Sequence, residues 1–155
     1  MKALHAMTRN VVCVNEGDSL EAARDIMKEW EIRHLPVMRD NKLVGILSDR
    51  DVLLYSHSES AGNVQVDDHS VEEVMTKNPI TCNASDSVSH IAGLMIDNKI
   101  DCVPITETNL GGLLGVVTST DLLDLLRERD LLEVSRGVPW SYAVRMFGSD
   151  APGYV

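Results

Sequence analysis

Long apolar runs are missing from this chain. No stretch approaches the roughly 18 consecutive apolar residues that a membrane-spanning helix needs. The opening Met1-Lys2-Ala3-Leu4-His5 has neither the apolar region nor the cleavage pattern of a secretory signal. A cytoplasmic protein with no membrane partner is therefore expected. Basic charge is scarce: 14 Lys and Arg stand against 24 Asp and Glu, a formal net charge of −10. Such a balance repels a phosphate backbone unless the cations gather on one face, so nucleic acid is not an expected partner. Cysteine is limited to Cys13, Cys82 and Cys102. An odd number without a C-x-x-C pair gives neither a disulfide framework nor a four-thiolate zinc site, and small, reduced, apolar residues are the reading that remains. Aromatics make up only 4%, and four of the six, Trp140, Tyr142, Phe147 and Tyr154, fall in the last 16 residues. Even so, 155 residues with 44% apolar content can bury the core of a globular domain.

What the sequence does contain is a duplication. Met7 to Leu20 lies over Met75 to Val88 at an offset of 68, with six of fourteen positions identical. The match continues through Met27 with Met95, Ile32 with Ile100 and Pro36 with Pro104. Two extra residues then enter around Asn109-Leu110-Gly111-Gly112, and at offset 70 Gly45 to Leu53 lies over Gly115 to Leu123. A hairpin turn absorbs such a gap.

Each copy reads as a short β run (Val11 to Val14; Pro79 to Cys82), a helix, two strands and a second helix. Leu20, Ala23, Ile26, Met27 and Trp30 form the apolar stripe of the first helix, begun by Asp18-Ser19. Val88, Ile91, Leu94 and Met95 repeat the stripe after Asp86-Ser87. Leu35 to Met38 and Leu43 to Leu47 are strands around the polar turn Arg39-Asp40-Asn41-Lys42. A copy of about 50 to 60 residues is marginal alone, so the two are expected to share one core, with Met7, Met27, Met75 and Met95 packed in it. Tyr55 to Ser70 reads as a solvated connection without chemistry. The expected division is 1–64 for the first copy with the start of the connection, 65–128 for the second, and 129–155 for a helical tail. In that tail Leu122 to Val134 prolongs the last helix until Gly137 and Pro139 end it. The aromatic cluster beyond it packs either on its own module or on a second subunit.

The strongest chemical signal is repeated too. Ser48 stands at the end of a strand with Asp51 three residues on, and Thr118 with Asp121 repeats the pair. One reading is a helix cap that satisfies free backbone amides. The other is nucleoside binding, in which the acceptor-only carboxylate takes the paired donors of a ribose diol. Phosphates then point away from it, toward helix N-terminal amides, the Ser48 hydroxyl and nearby cations. His57, His69 and His90 lack metal-ligand spacing. Asp67-Asp68 and Glu72-Glu73 read as a solvated acidic face, with magnesium reached only through a bound phosphate.

Gly, two apolar residues, Ser or Thr, two variable residues, Asp and an apolar residue occur at Gly45 to Val52 and again at Gly115 to Leu122. Together with Leu35-Pro36-Val37 and Val103-Pro104-Ile105, this resembles two tandem cystathionine β-synthase (CBS) motifs, as in Bateman modules, over about residues 5 to 128. The resemblance implies an α/β (α+β) fold of two pseudo-symmetric β-α-β-β-α motifs packed through their sheets into one module. It implies that Asp51 and Asp121 grip ribose and that Ser48 and Thr118 assist at ribose or phosphate. The runs Ile32-Arg33-His34-Leu35 and Ile100-Asp101-Cys102-Val103, each before its proline (Pro36 and Pro104), line the cleft. Val12-Cys13 and Ile80-Thr81 border the adenine. The copies differ where phosphate would sit: Arg33, His34 and Arg50 in the first, Asp101, Cys102 and Thr120 in the second. One well-filled site and one weak one are expected.

The expected function is regulatory sensing of an adenosine-containing ligand, with AMP, ADP and ATP first and S-adenosylmethionine or NAD as alternatives. No cofactor is required. A homodimer and an unidentified regulated protein are the expected partners. A ligand-free oligomeric scaffold is the competing reading. No nucleophile with a base and no metal-ligating constellation points to an enzyme.

Overall fold

Ser19 and Ser87 start matching helices for one reason. Each sits in extended backbone, and its hydroxyl accepts a first-turn amide, from Ala22 at 3.1 Å and His90 at 3.0 Å. The computed structural model describes residues 1–58, 64–107 and 111–135. Its elements run α1 (Ala3–Ala6), β1 (Val14–Asn15), α2 (Leu20–Glu29), β2 (His34–Arg39), β3 (Lys42–Ser48), α3 (Asp49–Leu54), β4 (Ser56–Ser58) and β5 (Val64–Val66). They continue with α4 (Val71–Val74), β6 (Thr76–Lys77), β7 (Cys82–Asn83), α5 (Val88–Asn98), β8 (Cys102–Thr106), β9 (Leu113–Thr118) and α6 (Ser119–Ser135). This is the mixed α+β class expected. Met1–Leu122 forms one compact unit that contains both copies; Leu123–Val155 forms another, begun by the remainder of α6. Gly137, Pro139 and the aromatic tail lie outside the described residues.

The predicted stripes bury Leu20, Ala23 and Met27 on α2 and Ile91 and Met95 on α5. Trp30 does not join them: α2 stops at Glu29, the chain turns left-handed at Glu31 (φ 52°), and Trp30 is left 59% exposed. Lys99 (φ 55°) ends α5 the same way. The β2–β3 hairpin closes through Asp40 and Asn41, both with positive φ (48° and 61°), a turn whose twist suits the paired strands. Of the predicted opening runs only the ends pair, Val14-Asn15 with β2 and Cys82-Asn83 with β8, both in parallel.

The segments just before those runs, the leaders of the two copies, cross to the other copy. Thr76-Lys77, which opens the second copy, forms β6 on the edge of β3 and completes the sheet β1-β2-β3-β6 of the first. Thr8 bridges Val116 beside the sheet β7-β8-β9 of the second. The exchange is reciprocal to the hydrogen bond. Leu20 N donates to His69 O and Val71 N to Asp18 O; Val88 N donates to Met1 O and Ala3 N to Asp86 O, the equivalent pairs one repeat away. The motif glycines follow from this crossing. A Cβ on Gly45 would stand 2.3 Å from Met75 Sδ, and one on Gly115 would stand 2.5 Å from Thr8 O, so a side chain at either position makes the leader shift, by its Met75 side chain in one copy and its backbone in the other. Asn10 and Asn78, left-handed at φ 55° and 48°, turn each leader back, a conformation asparagine tolerates.

The expectation of one shared core is overturned. Among the described residues there are two buried clusters, one per copy. The first includes Leu20, Leu35, Val37 and Leu47 with Val71 and Met75 contributed by the second leader; the other includes Ile91, Val103, Ile105 and Val117 with Ala3 from the first. Each small core is completed by a segment of its neighbour, which answers the size problem without merging them. The connection is not plain solvated loop either. β4 and β5 pair as a ribbon, Val66 is buried in the first cluster, and Arg24 Nη1 donates to Val64 O at 3.1 Å. Three of the four residues of the acidic pairs are also engaged. Asp67 holds His57 at 2.8 Å, Glu73 caps α4 through Ser70, and Glu72 lies near Arg39 and Lys77.

Candidate functional site

β3 ends at Ser48 because Asp51 folds back on it. Ser48 N and Ser48 Oγ both donate to Asp51 Oδ2, at 2.8 and 2.7 Å, while Asp51 N donates to Ser48 Oγ at 3.2 Å. Thr118 and Asp121 repeat the arrangement at 2.7, 2.7 and 3.3 Å. The capping reading is thus realised in both copies. It uses one carboxylate oxygen. Among the described residues Oδ1 of Asp51 and of Asp121 has no hydrogen-bond partner, so capping and ligand contact are compatible on one side chain.

Asp51 opens onto a cleft of about 290 Å3, near the lower end of small-molecule sites. Its first side is Arg33, His34, Ile46 and Ser48 to Asp51. Its second side comes from the other copy: Thr76, Asn78, Pro79 and Ile80 on the crossing leader, and Lys99 to Cys102 before and at the start of β8. Of the expected residues, Asp51, Ser48, Arg50, Arg33, His34 and Ile80 therefore meet here, together with Ile100, Asp101 and Cys102. Thr118 at the end of β9 and Thr120 and Asp121 at the start of α6 do not line this cleft. Pro36, Pro104 and Val103 are fully buried in their strands, and Thr81 is exposed outside it. A separate depression beside Met7, Arg9 and Leu113 contains neither Asp121 nor Thr118. Of the first-strand residues expected to border the base, Ile80 lines this cleft with Asp51, while Val12 and Cys13 do not, because the leaders cross.

Lys99, Asp49, Ile46 and Pro79 were not anticipated. Lys99 is placed by the left-handed end of α5, and Pro79 and Ile46 by the β3–β6 pairing of Ile46 with Thr76. The repeated Met-Thr-x-Asn of the two leaders was the available signal. The supposed phosphate donors are partly spent: Asp49 N donates to Arg33 O, Asp51 N to Ser48 Oγ, and the Ser48 hydroxyl to Asp51. Charge at the cleft therefore rests on side chains.

Those side chains are mixed in sign. Arg50 lies 4.0 Å from Asp101, the residue equivalent to Arg33. His34 is held below the ordinary imidazole range chiefly by burial; Arg33 adds to this, and Asp49, Asp101 and Asp51 oppose it. Cys102 is pushed up to about 12 by burial first and by Asp121 and Asp101 second, which makes it a poor nucleophile. Among the described residues no cluster of His, Cys, Asp or Glu has the grouping of a metal site.

The CBS domain profile matches residues 2–58 and 71–128. The chain superposes on the CBS domain pair of protein MJ0100, solved with 5′-methylthioadenosine and S-adenosyl-L-methionine, with a TM-score of 0.70 and 26% identity over 83% of this chain and 98% of that one. The Vibrio cholerae chain named AcuB gives 0.71 and 27%, over 90% and 98%. A CBS domain-containing protein of Dictyostelium discoideum is 32% identical over 77% of this chain and 87% of its own length. Other relatives are much longer. The chain spans 44% of a Methanocaldococcus jannaschii protein and 22% of an inosine-5′-monophosphate dehydrogenase of Korarchaeum cryptofilum.

Proposed function

Since the chain belongs to the CBS domain family, we propose that it is a regulatory module whose first-copy cleft binds an adenosine-containing ligand. The candidates within that class are AMP, ADP, ATP, S-adenosylmethionine and NAD. The observation that carries this is the carboxylate of Asp51, which caps α3 with one oxygen and leaves the other without a partner beside an open cleft. Ribose hydroxyls are the donors such an oxygen lacks. The apolar side of the cleft, Ile46, Pro79 and Ile80, offers a surface for the base. The adenosyl ligands of the MJ0100 pair support the ligand class.

The second copy binds weakly or not at all in this reading, because Asp121 does not line the cleft that holds the cations. Occupancy passes to a regulated protein only if the ligand distinguishes two arrangements of the module, such as two geometries of a paired dimer. The enzyme relatives match this chain over less than a quarter of their length, which fits a regulatory part of those proteins rather than their catalytic part.

Isothermal titration with AMP, ATP and S-adenosylmethionine tests the reading. Asp51→Ala should weaken binding by about 1.5 to 3 kcal/mol, the worth of hydrogen bonds to a charged group, with Asp121→Ala having less effect. Unchanged affinity in both variants would remove the assignment.

A further inference from the structure

The cleft holds three cations, Arg33, Arg50 and Lys99, and three carboxylates, Asp49, Asp51 and Asp101. Two of these face each other across the copies: Arg50, in the first turn of α3, and Asp101, just before β8, at 4.0 Å. Asp101 stands at the position where the first copy has Arg33, so the repeat has put opposite charges at equivalent places and the exchange of leaders has put both beside one cleft. With Asp51 taking ribose and Ile46, Pro79 and Ile80 taking the base, the group on the 5′ carbon is left to the charged end.

We propose that Asp101 is a specificity-determining residue of this cleft, selecting adenosine ligands whose 5′ group is neutral or cationic, a thioether or a sulfonium, over those carrying phosphates. The inference rests on the proposed adenosine site at Asp51. A phosphate that recruits Arg50 draws it from Asp101, and a phosphate held by any of the three cations shares the charged end with that carboxylate, a conflict that each further phosphate repeats. A sulfonium meets the same carboxylate as an opposite charge, and a thioether leaves the Arg50–Asp101 pair undisturbed. The pair is solvent-facing, with Arg50 80% and Asp101 45% exposed. Such a pair adds little to folding, so its charge can be removed without losing the module.

The test is a calorimetric comparison of the wild-type chain, Asp101→Asn and Asp101→Glu with 5′-methylthioadenosine, AMP and ATP at one ionic strength. The wild type should bind 5′-methylthioadenosine most tightly and ATP least. Asp101→Asn should leave 5′-methylthioadenosine within about twofold and tighten ATP by about tenfold, with AMP between, as expected for loss of one nearby like charge; Asp101→Glu should keep the wild-type order. A wild type that prefers ATP, or an Asp101→Asn variant that shifts all three ligands by one factor, overturns the selectivity while leaving the adenosine site standing. If none of the three binds the wild type, or if Asp51→Ala leaves their affinities unchanged, the site itself is wrong and the selectivity falls with it.

Discussion

Around the ends of β2 and β8 the two copies agree in backbone and disagree in charge. Asp49 N donates to Arg33 O and Ser119 N to Asp101 O, both at 2.9 Å, and His34 pairs with Ser48 as Cys102 pairs with Thr118. The side chains on this common frame are nevertheless Arg and His in one copy, Asp and Cys in the other. Main-chain hydrogen bonds and caps hold the repeat's geometry, so the side chains facing the cleft were free to diverge without cost to the fold. Because the leaders cross, the divergent residues do not make two independent sites; both sets stand beside one cleft.

The comparison can be broken at its most rigid point first. Gly45 and Gly115 play one role, and an added methyl meets the equivalent neighbours at unequal distances: at Gly45 the flexible Met75 Sδ is nearest, at 2.3 Å, with Thr76 O at 3.1 Å, whereas at Gly115 the backbone Thr8 O is nearest, at 2.5 Å, with Met7 Sδ at 3.2 Å. Gly115→Ala should cost about 1 to 3 kcal/mol of stability, the range for overpacking, and Gly45→Ala clearly less. Equal losses of thermal stability would show that the two crossings are equally tight. The caps should behave alike instead. Ser48→Ala and Thr118→Ala each remove one cap acceptor and should each lower stability by about 1 kcal/mol in denaturant unfolding; a large inequality between them would mean that the matching hydrogen bonds conceal different local stabilities.

The smallest effect is in pH. His34 resists protonation in the folded state, so the unfolded chain binds the extra proton more readily. Its contribution is complete above the ordinary imidazole range and is lost as pH falls from there through the depressed folded value. Cys102, at the equivalent place, titrates far above that window. His34→Cys should therefore flatten the dependence of thermal stability on pH between about 7 and 5; an unchanged slope would assign the acid sensitivity to another group.

Much of this was legible in the residues. Ser19 and Ser87 as caps, the α2 and α5 stripes, the polar β2–β3 turn and the insertion near Gly111-Gly112 follow from interactions a few residues apart, which local patterns record. The leaders were harder. Met7 with Met75 and Asn10 with Asn78 were visible as identities, yet nothing in a two-residue strand says that its partner is the edge of the other copy. Trp30 was misplaced because one left-handed residue after α2 redirects the chain, and Val66 was hidden in a segment whose composition reads as loop.

By itself the sequence determined that there are two like units, where their helices begin, and that each carries a hydroxyl and a carboxylate at a strand-to-helix turn. Local hydrogen bonding and short-range periodicity suffice for that. The tertiary structure alone decided that each unit finishes its core with the other's leader, that Asp51 faces Ile80 rather than Val12, and that Asp101 stands opposite Arg50. These depend on pairings between residues far apart in the chain, whose free energy comes from completing distant sheets and cores and leaves no periodic mark in the sequence.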